Sequence, residues 1–289
     1  MLIFFLAATS WILRQSGNSS ARNQLDKVTT TAMAQAKEAL IGRAATDVNH
    51  PGSLPCPDVN NDGTAELTDS PGGNCPAYFG RLPWKSLGLP KLLDGNGDML
   101  WYALSPKLRD NVAAQPINPQ QPLELTLDGT PNIAAIVFSP GPPLANQNAR
   151  PSGTITDYLD GSNNDEDYSY VSGFPSPTFN DRALAITQAN LFSIVNRSIL
   201  AKLAGVDGAT GLGKYYSANS SNYPPTSADL RTELTPHFDS ATNTALSNNG
   251  WYPLVSYNYV NASQTILTIS IPTPVSCTIT PGQMLCPYP

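Results

Sequence analysis

The chain has 289 residues, only 13% of them charged, with 27 prolines, 21 glycines and a formal net charge of −6. Its length gives room for a full core in one domain or two. The low charge with abundant proline and glycine favours a loop-rich, extracytoplasmic β-containing protein over a cytosolic enzyme, and with no basic cluster nucleic acid is not an expected partner.

The chain opens on an apolar foot, Met1–Leu13. Leu2, Ile3, Phe4, Phe5 and Leu6 leave no polar face, and Trp11, Ile12 and Leu13 extend it. After Gly17-Asn18-Ser19-Ser20, Leu25, Val28, Ala32, Ala36 and Ala39/Leu40 recur at steps of three and four, one face of a helix. Arg22, Lys27, Gln35, Glu38 and Arg43 fall on other faces. Strong helix formers dominate, no proline precedes Pro51, and Asn49-His50-Pro51-Gly52 is a stop signal. One helix of roughly 45 residues and ~70 Å is expected, kinked near Gly17. Its first third belongs in lipid or among like helices, and its last third on a globular head. The foot of about 13 apolar residues is short of the roughly 20 that span a bilayer, and no basic n-region precedes it. The segment therefore starts upstream of Met1, begins at a processed end or embeds only in part. A buried core helix of a soluble protein is the alternative. The expected division is a membrane-type segment, 1–20, and a head, 21–289.

Residues 52–102 read as an ordered loop between the helix and the first strand, broken throughout by proline and glycine. A loop that long needs something to hold it. The four cysteines, Cys56, Cys75, Cys277 and Cys286, favour disulfides. Three pairings exist on paper. The sequence-local one, Cys56–Cys75 and Cys277–Cys286, is favoured because each pair brackets a short loop rich in Pro, Gly or Asn. Strands are expected at Met99–Leu104, Leu123–Leu127 and Ile133–Ser139, the last buried on both faces. Helical spacing returns over Arg182–Leu203, a short helix is expected near Ala228–Leu234, and late strands at Trp251–Val260, Thr265–Ile271 and Val275–Thr280. The fold class is α+β: a long amino-terminal helix packed on an antiparallel sheet, a disulfide-clipped loop, a second helix and a variable region from 206 to 289.

Four segments in order, AQAKEALIGRAATD (34–47), SLPCPDVNNDG (53–63), GRLPWKSLGLP (80–90) and DGNGDMLWYALS (94–105), resemble a family of bacterial type IV pilin-like proteins, the type II secretion pseudopilins and prepilin-like proteins. SPGPPLANQ, DYLDGSN and FNDRALAIT continue the likeness to about residue 190. The paired LPCPD and LPWKSLGLP segments are its most specific part. The resemblance implies an inner-membrane helix continuing into a periplasmic or extracellular head, and partners that are copies of the chain or other pilin-like subunits. It implies a structural role without a small-molecule substrate. The chain departs from the family pattern at Phe5, where a glutamate is usual, and it shows no leader.

Calcium is the one cofactor suggested. Asp58, Asn60 and Asp62 occupy positions 1, 3 and 5 of a calcium-type loop, Gly63 the turn, the Thr64 carbonyl position 7 and Glu66 position 9, with Asp69 at 12. An Asx-rich turn satisfied by its own backbone is the competing reading. Asp94-Gly95-Asn96-Gly97-Asp98 has similar spacing but reads as a turn into a strand. Asp157, Asp160, Asp165, Glu166 and Asp167 form a further acidic group. It reads first as a solvated loop, although the resemblance implies that a carboxyl-terminal loop can hold calcium. Gly208–Lys214 fits the glycines and lysine of a phosphate loop, but Tyr215 replaces the required Ser or Thr and a helix precedes it. No GxSxG or HExxH occurs, and no cysteine is left over if all four pair, so no catalytic residue is expected. Trp84, Trp101, Tyr102, Trp251 and Tyr252 read as core and rim aromatics. Two function classes result: a pilin-like structural subunit, or a membrane-anchored secreted binding module or enzyme.

Overall fold

The computed structural model describes residues 2–66, 73–110, 115–147, 150–225 and 230–287, and for residues 2–19 the backbone alone. The chain is α+β. Helix α1 runs unbroken over Leu2–Thr46, 45 residues, and its backbone stays helical through Gly17. In its carboxyl half Thr29, Ala32, Met33, Ala36, Leu40, Ile41, Ala44 and Ala45 are buried. Leu25 and Val28, expected on this stripe, are 42% and 41% exposed. The buried stripe begins one turn later, at Thr29, because before it the head touches α1 only at its margin, through the 91–95 segment and Arg182.

Six strands form the first sheet: β1 (Phe79–Arg81), β2 (Trp101–Leu104), β3 (Leu125–Leu127), β4 (Thr130–Ser139), β5 (Ser169–Tyr170) and β6 (Arg182–Thr187). Their order is β1-β2-β4-β3-β5, with β6 also on β4. Only β3 and β5 pair in parallel. Strand β1 lies inside the stretch expected to be loop, and Asp58 bridges to Arg81 on it. Arg182–Thr187 is a strand rather than the start of a helix. Six residues of β4 between Ile133 and Ser139 have Cα partners on it, and this pairing overrides the helix-favouring alanines. Helix α2 then covers Gln188–Ala204, and Thr187 and Asn190 close a capping box at its start.

Alternation along β2 and β4 separates two cores. Tyr102, Leu104, Ala135 and Val137 join α1 and α2 in one cluster, while Trp101, Ala103, Ile136 and Phe138 join Phe79, Tyr158, Leu159 and Tyr170 on the opposite face. The 150–170 segment covers that second face. Beyond α2 come α3 (Gly211–Ala218), α4 (Leu230–Leu234) and α5 (Ser240–Asn248). A separate antiparallel sheet follows, in the order β10-β9-β8-β7, from β7 (Val255–Asn261), β8 (Gln264–Ile269), β9 (Val275–Thr280) and β10 (Gln283–Leu285). The expectation had one sheet, and α3, α5 and β10 were not anticipated. Both disulfides join the expected partners, Cys56–Cys75 and Cys277–Cys286, and no described cysteine is free.

Candidate assembly helix and the clipped loop

The carboxyl half of α1 is tied to the head along its length. Lys37 Nζ donates to the Ala185 carbonyl at 3.0 Å and to Asn190 Oδ1 at 3.1 Å. Burial lowers its pKa, partly opposed by Glu38. At the end, Asp47 accepts from the amides of Asn49 and His50 and pairs with Arg43, which also reaches Asp110 at 2.9 Å. Burial pushes the Asp47 carboxyl up, but the His50 amide, Arg43 and the Asn49 amide outweigh it and its pKa lies below the ordinary value. His50 Nδ1 stands 3.3 Å from Asp110. The last ties towards the amino end are at Asp26 and Thr30, both reached by Arg182, and at Thr29, whose Oγ1 accepts from the Gly95 amide. A Cβ on Gly95 would lie 2.3 Å from the Leu25 carbonyl oxygen, so only glycine lets this turn rest on the helix backbone.

From Ser20 to Val28 every residue is exposed. Leu2, Ile3, Phe4, Phe5, Leu6, Trp11, Ile12 and Leu13 all lie in the helix, and their side chains are outside what the structure describes. Among the described residues no helix is long and apolar enough to cross a membrane. An open groove of about 650 Å³ runs along the outer face of α1 past Thr31, Ala34 and Gln35 to Leu89 and Pro90.

In the clipped loop the candidate calcium ligands meet backbone amides. Asp58 is buried, and its carboxylate accepts from the amides of Asn61 (2.7 Å), Asp62 (3.2 Å) and Gly63 (2.7 Å). Asn60 Oδ1 accepts from Asp62 N and Asp62 Oδ1 from Thr64 N. Glu66 takes the amides of Val59 and Asn60, both at 3.2 Å. The Thr64 amide and hydroxyl hold the Asp62 pKa below its ordinary value, with Lys85 adding to the effect. This is the Asx-turn arrangement, in which backbone amides take up part of the acceptor capacity of these oxygens. Among the described residues no three His, Cys, Asp or Glu side chains group as a metal site. Asp69 lies outside the described residues. The loop also packs on the 83–89 segment: Lys85 N donates to the Gly63 carbonyl and Ala65 N to Ser86 Oγ. The SLPCPDVNNDG and GRLPWKSLGLP segments are thus in contact through Gly63 and Lys85.

The other singled-out residues have structural partners. Asp94 is buried, caps its own turn through Asn96 N and Asp98 N, and accepts from Ser139 Oγ. Asp98 pairs with Arg150 at 2.8 Å. Asp157 bonds Ser152 Oγ, whereas Asp165, Glu166 and Asp167 are exposed. Asp160 is buried beside Asp181, which sequence reasoning missed. One oxygen of Asp181 accepts from Asp160 N and Asn163 Nδ2, and the other has no partner among the described residues. Burial raises the Asp181 pKa to about 7, with the charge of Asp160 adding to the rise. In the phosphate-loop lookalike, a Cβ on Gly213 would lie 2.0 Å from the Gly205 carbonyl oxygen, so its glycines serve the tight α2–α3 corner. His237 packs edge-on against Tyr215. Trp101, Tyr102, Trp251 and Tyr252 are buried, and Trp84 is half-buried against Gly63.

Set beside known proteins, the chain matches no family model, no curated protein and no solved structure.

Proposed function

We propose that the protein is a structural subunit, or an accessory component, of a type IV pilus-like or type II secretion pseudopilus filament. It is anchored in a bacterial inner membrane and assembled through its amino-terminal helix, with the head on the periplasmic or extracellular side. The observation that carries this is α1: 45 continuous helical residues whose carboxyl half is built into the head, while Ser20–Val28 are exposed and touch the head only through Leu25, Asp26 and the neighbouring 91–95 segment. A helix of that length, ~70 Å, exceeds what the head needs for its core. The apolar sequence of Leu2–Leu13 gives the projecting part a reason to meet lipid or other helices. The partners are copies of the chain or other pilin-like subunits.

Cysteine cross-linking tests it, since all described cysteines are already paired. Thr9→Cys and Ser20→Cys variants, expressed in full and oxidised in membranes, are expected to give ladders of cross-linked chains. Cross-linking confined to unrelated membrane proteins, with the chain itself never joined to a copy or to a pilin-like partner, would contradict the assignment.

A further inference from the structure

Two arginines stack on Tyr158, and they differ in what their nitrogens do. Arg150 lies 4.8 Å over the ring and uses its guanidinium fully: it donates to the carbonyls of Asp157, Gly141 and Tyr158 and to Gln147 Oε1, and pairs with Asp98. Arg81 is 6% exposed, with its guanidinium carbon 4.2 Å over Tyr158 and 4.0 Å over Trp101. Its guanidinium makes one hydrogen bond, to the Ser152 carbonyl at 3.2 Å, and no ion pair among the described residues. Buried arginines are ordinarily paired, because an uncompensated buried charge is costly. The neighbouring carboxylate, Asp58, is spent on three amides of its own turn. Trp101 adds a second idle donor: its Nε1–H is buried and has no partner among the described residues.

Arg81 and Trp101 line a cavity of about 230 Å³, together with Asp58, Asn61, Ser152, Gly153 and Ile155. We propose that this cavity binds a carboxylate, received by the free edge of the Arg81 guanidinium, which lies over the adjoining Trp101 and Tyr158 rings. The planar fork matches a carboxylate bidentately, and the rings hold it in one orientation. The cavity has room for a small acid or for the end of a peptide bearing that group. Asp58 and Glu166, which also line the cavity, disfavour a second negative charge, so a monocarboxylate is the class favoured over a dianion. The site lies on the sheet face away from α1 and does not depend on the filament assignment.

The test follows the four tryptophan indole N–H signals of the full-length protein in detergent, with that of Trp101 assigned by Trp101→Phe. Sodium acetate, N-acetylglycine and sodium phosphate are titrated at constant ionic strength. Acetate is expected to move the Trp101 signal saturably, with phosphate at least about tenfold weaker. N-acetylglycine binding about tenfold tighter than acetate points to a peptide end, and equal binding to a small acid. Gly153→Leu fills the cavity from a position where a Cβ meets no atom within 4 Å, and is expected to keep the melting temperature while weakening binding at least about tenfold. Arg81→Lys, which keeps the charge and loses the fork, is expected to weaken it similarly. No saturable shift with either carboxylate by about 50 mM in the wild type overturns the proposal. So does binding that survives Gly153→Leu unchanged, or phosphate binding as tight as acetate.

Discussion

Between Thr29 and Ala45, α1 buries Met33, Ala36, Leu40 and Ala44 against α2 and the first sheet; between Ser20 and Val28 it buries nothing. Helix-forming residues populate both halves, and the backbone does not change at the boundary. The difference lies in what each half touches. Isolated helices are marginal in water, and most helical stability in proteins comes from packing an apolar face. The carboxyl half has that packing in the head. The amino half needs it from somewhere else, and this need is the physical content of the assembly proposal.

The largest expected effect is in the buried half. Leu40 is fully buried, so Leu40→Ala should cost about 2–5 kcal/mol by removing apolar contact and leaving a cavity. Denaturant unfolding measures it, and a cost under about 1 kcal/mol would mean that this half is not part of the core. At the boundary, Gly95→Ala should cost about 1–3 kcal/mol, because its Cβ would drive the Asp94–Asp98 turn off the Leu25 carbonyl. Amide exchange around Thr29 should rise with it, and unchanged protection there would break the boundary as drawn.

Acid should loosen the carboxyl end of α1 next. The folded-state pKa of Asp47 is lowered, so the folded state favours its charged form. The stability this gives is present above the ordinary carboxylate range and lost as pH falls through the lower folded value. Asp47→Asn should flatten that acid limb of the stability profile, and an unaltered limb would remove Asp47 from the account. Smaller still, Leu25→Ala and Val28→Ala should change head stability by within about 0.5 kcal/mol, since both side chains are exposed.

The clipped loop bears on the same question of what holds a segment that the core does not reach. With Asp58 and Glu66 satisfied by amides, calcium at about 5 mM should leave the melting temperature unchanged. A site of ~10⁻³ M would instead add about 1 kcal/mol, or roughly 2–4 °C. A gain of that size, abolished in the Asp58→Ala, Asp62→Ala double variant, would mean that the loop holds an ion as well as its own amides.

What could be read from the sequence follows from how local its cause is. The unbroken α1, the two disulfides and strand β4 are written in contiguous residues: a proline-free helical run, cysteines bracketing short loops, and the continuous apolar stretch Ile133–Ser139. Strand β6 was not legible, because Arg182–Thr187 is helix-like by composition and becomes a strand only beside β4. The second sheet was hidden for a related reason, since short strands in the polar carboxyl-terminal region declare no common partner. Leu25 and Val28 fit the helical period but lie at the margin of the head with their side chains exposed, and periodicity does not mark where a partner surface stops. Asp181 and Arg81 fall within segments that carry the family likeness, yet nothing there singles out either residue. Each is one polar residue in an ordinary context, and only the approach of Asp160, or of Trp101 and Tyr158, makes its position unusual.

Light scattering on the full-length chain, compared with a variant lacking residues 1–20, tests the central claim most directly. The account predicts that the full-length protein in plain buffer forms large assemblies that detergent disperses, while the shortened chain is a monomer of unchanged head stability. A full-length protein that stays a clean monomer in plain buffer would contradict it.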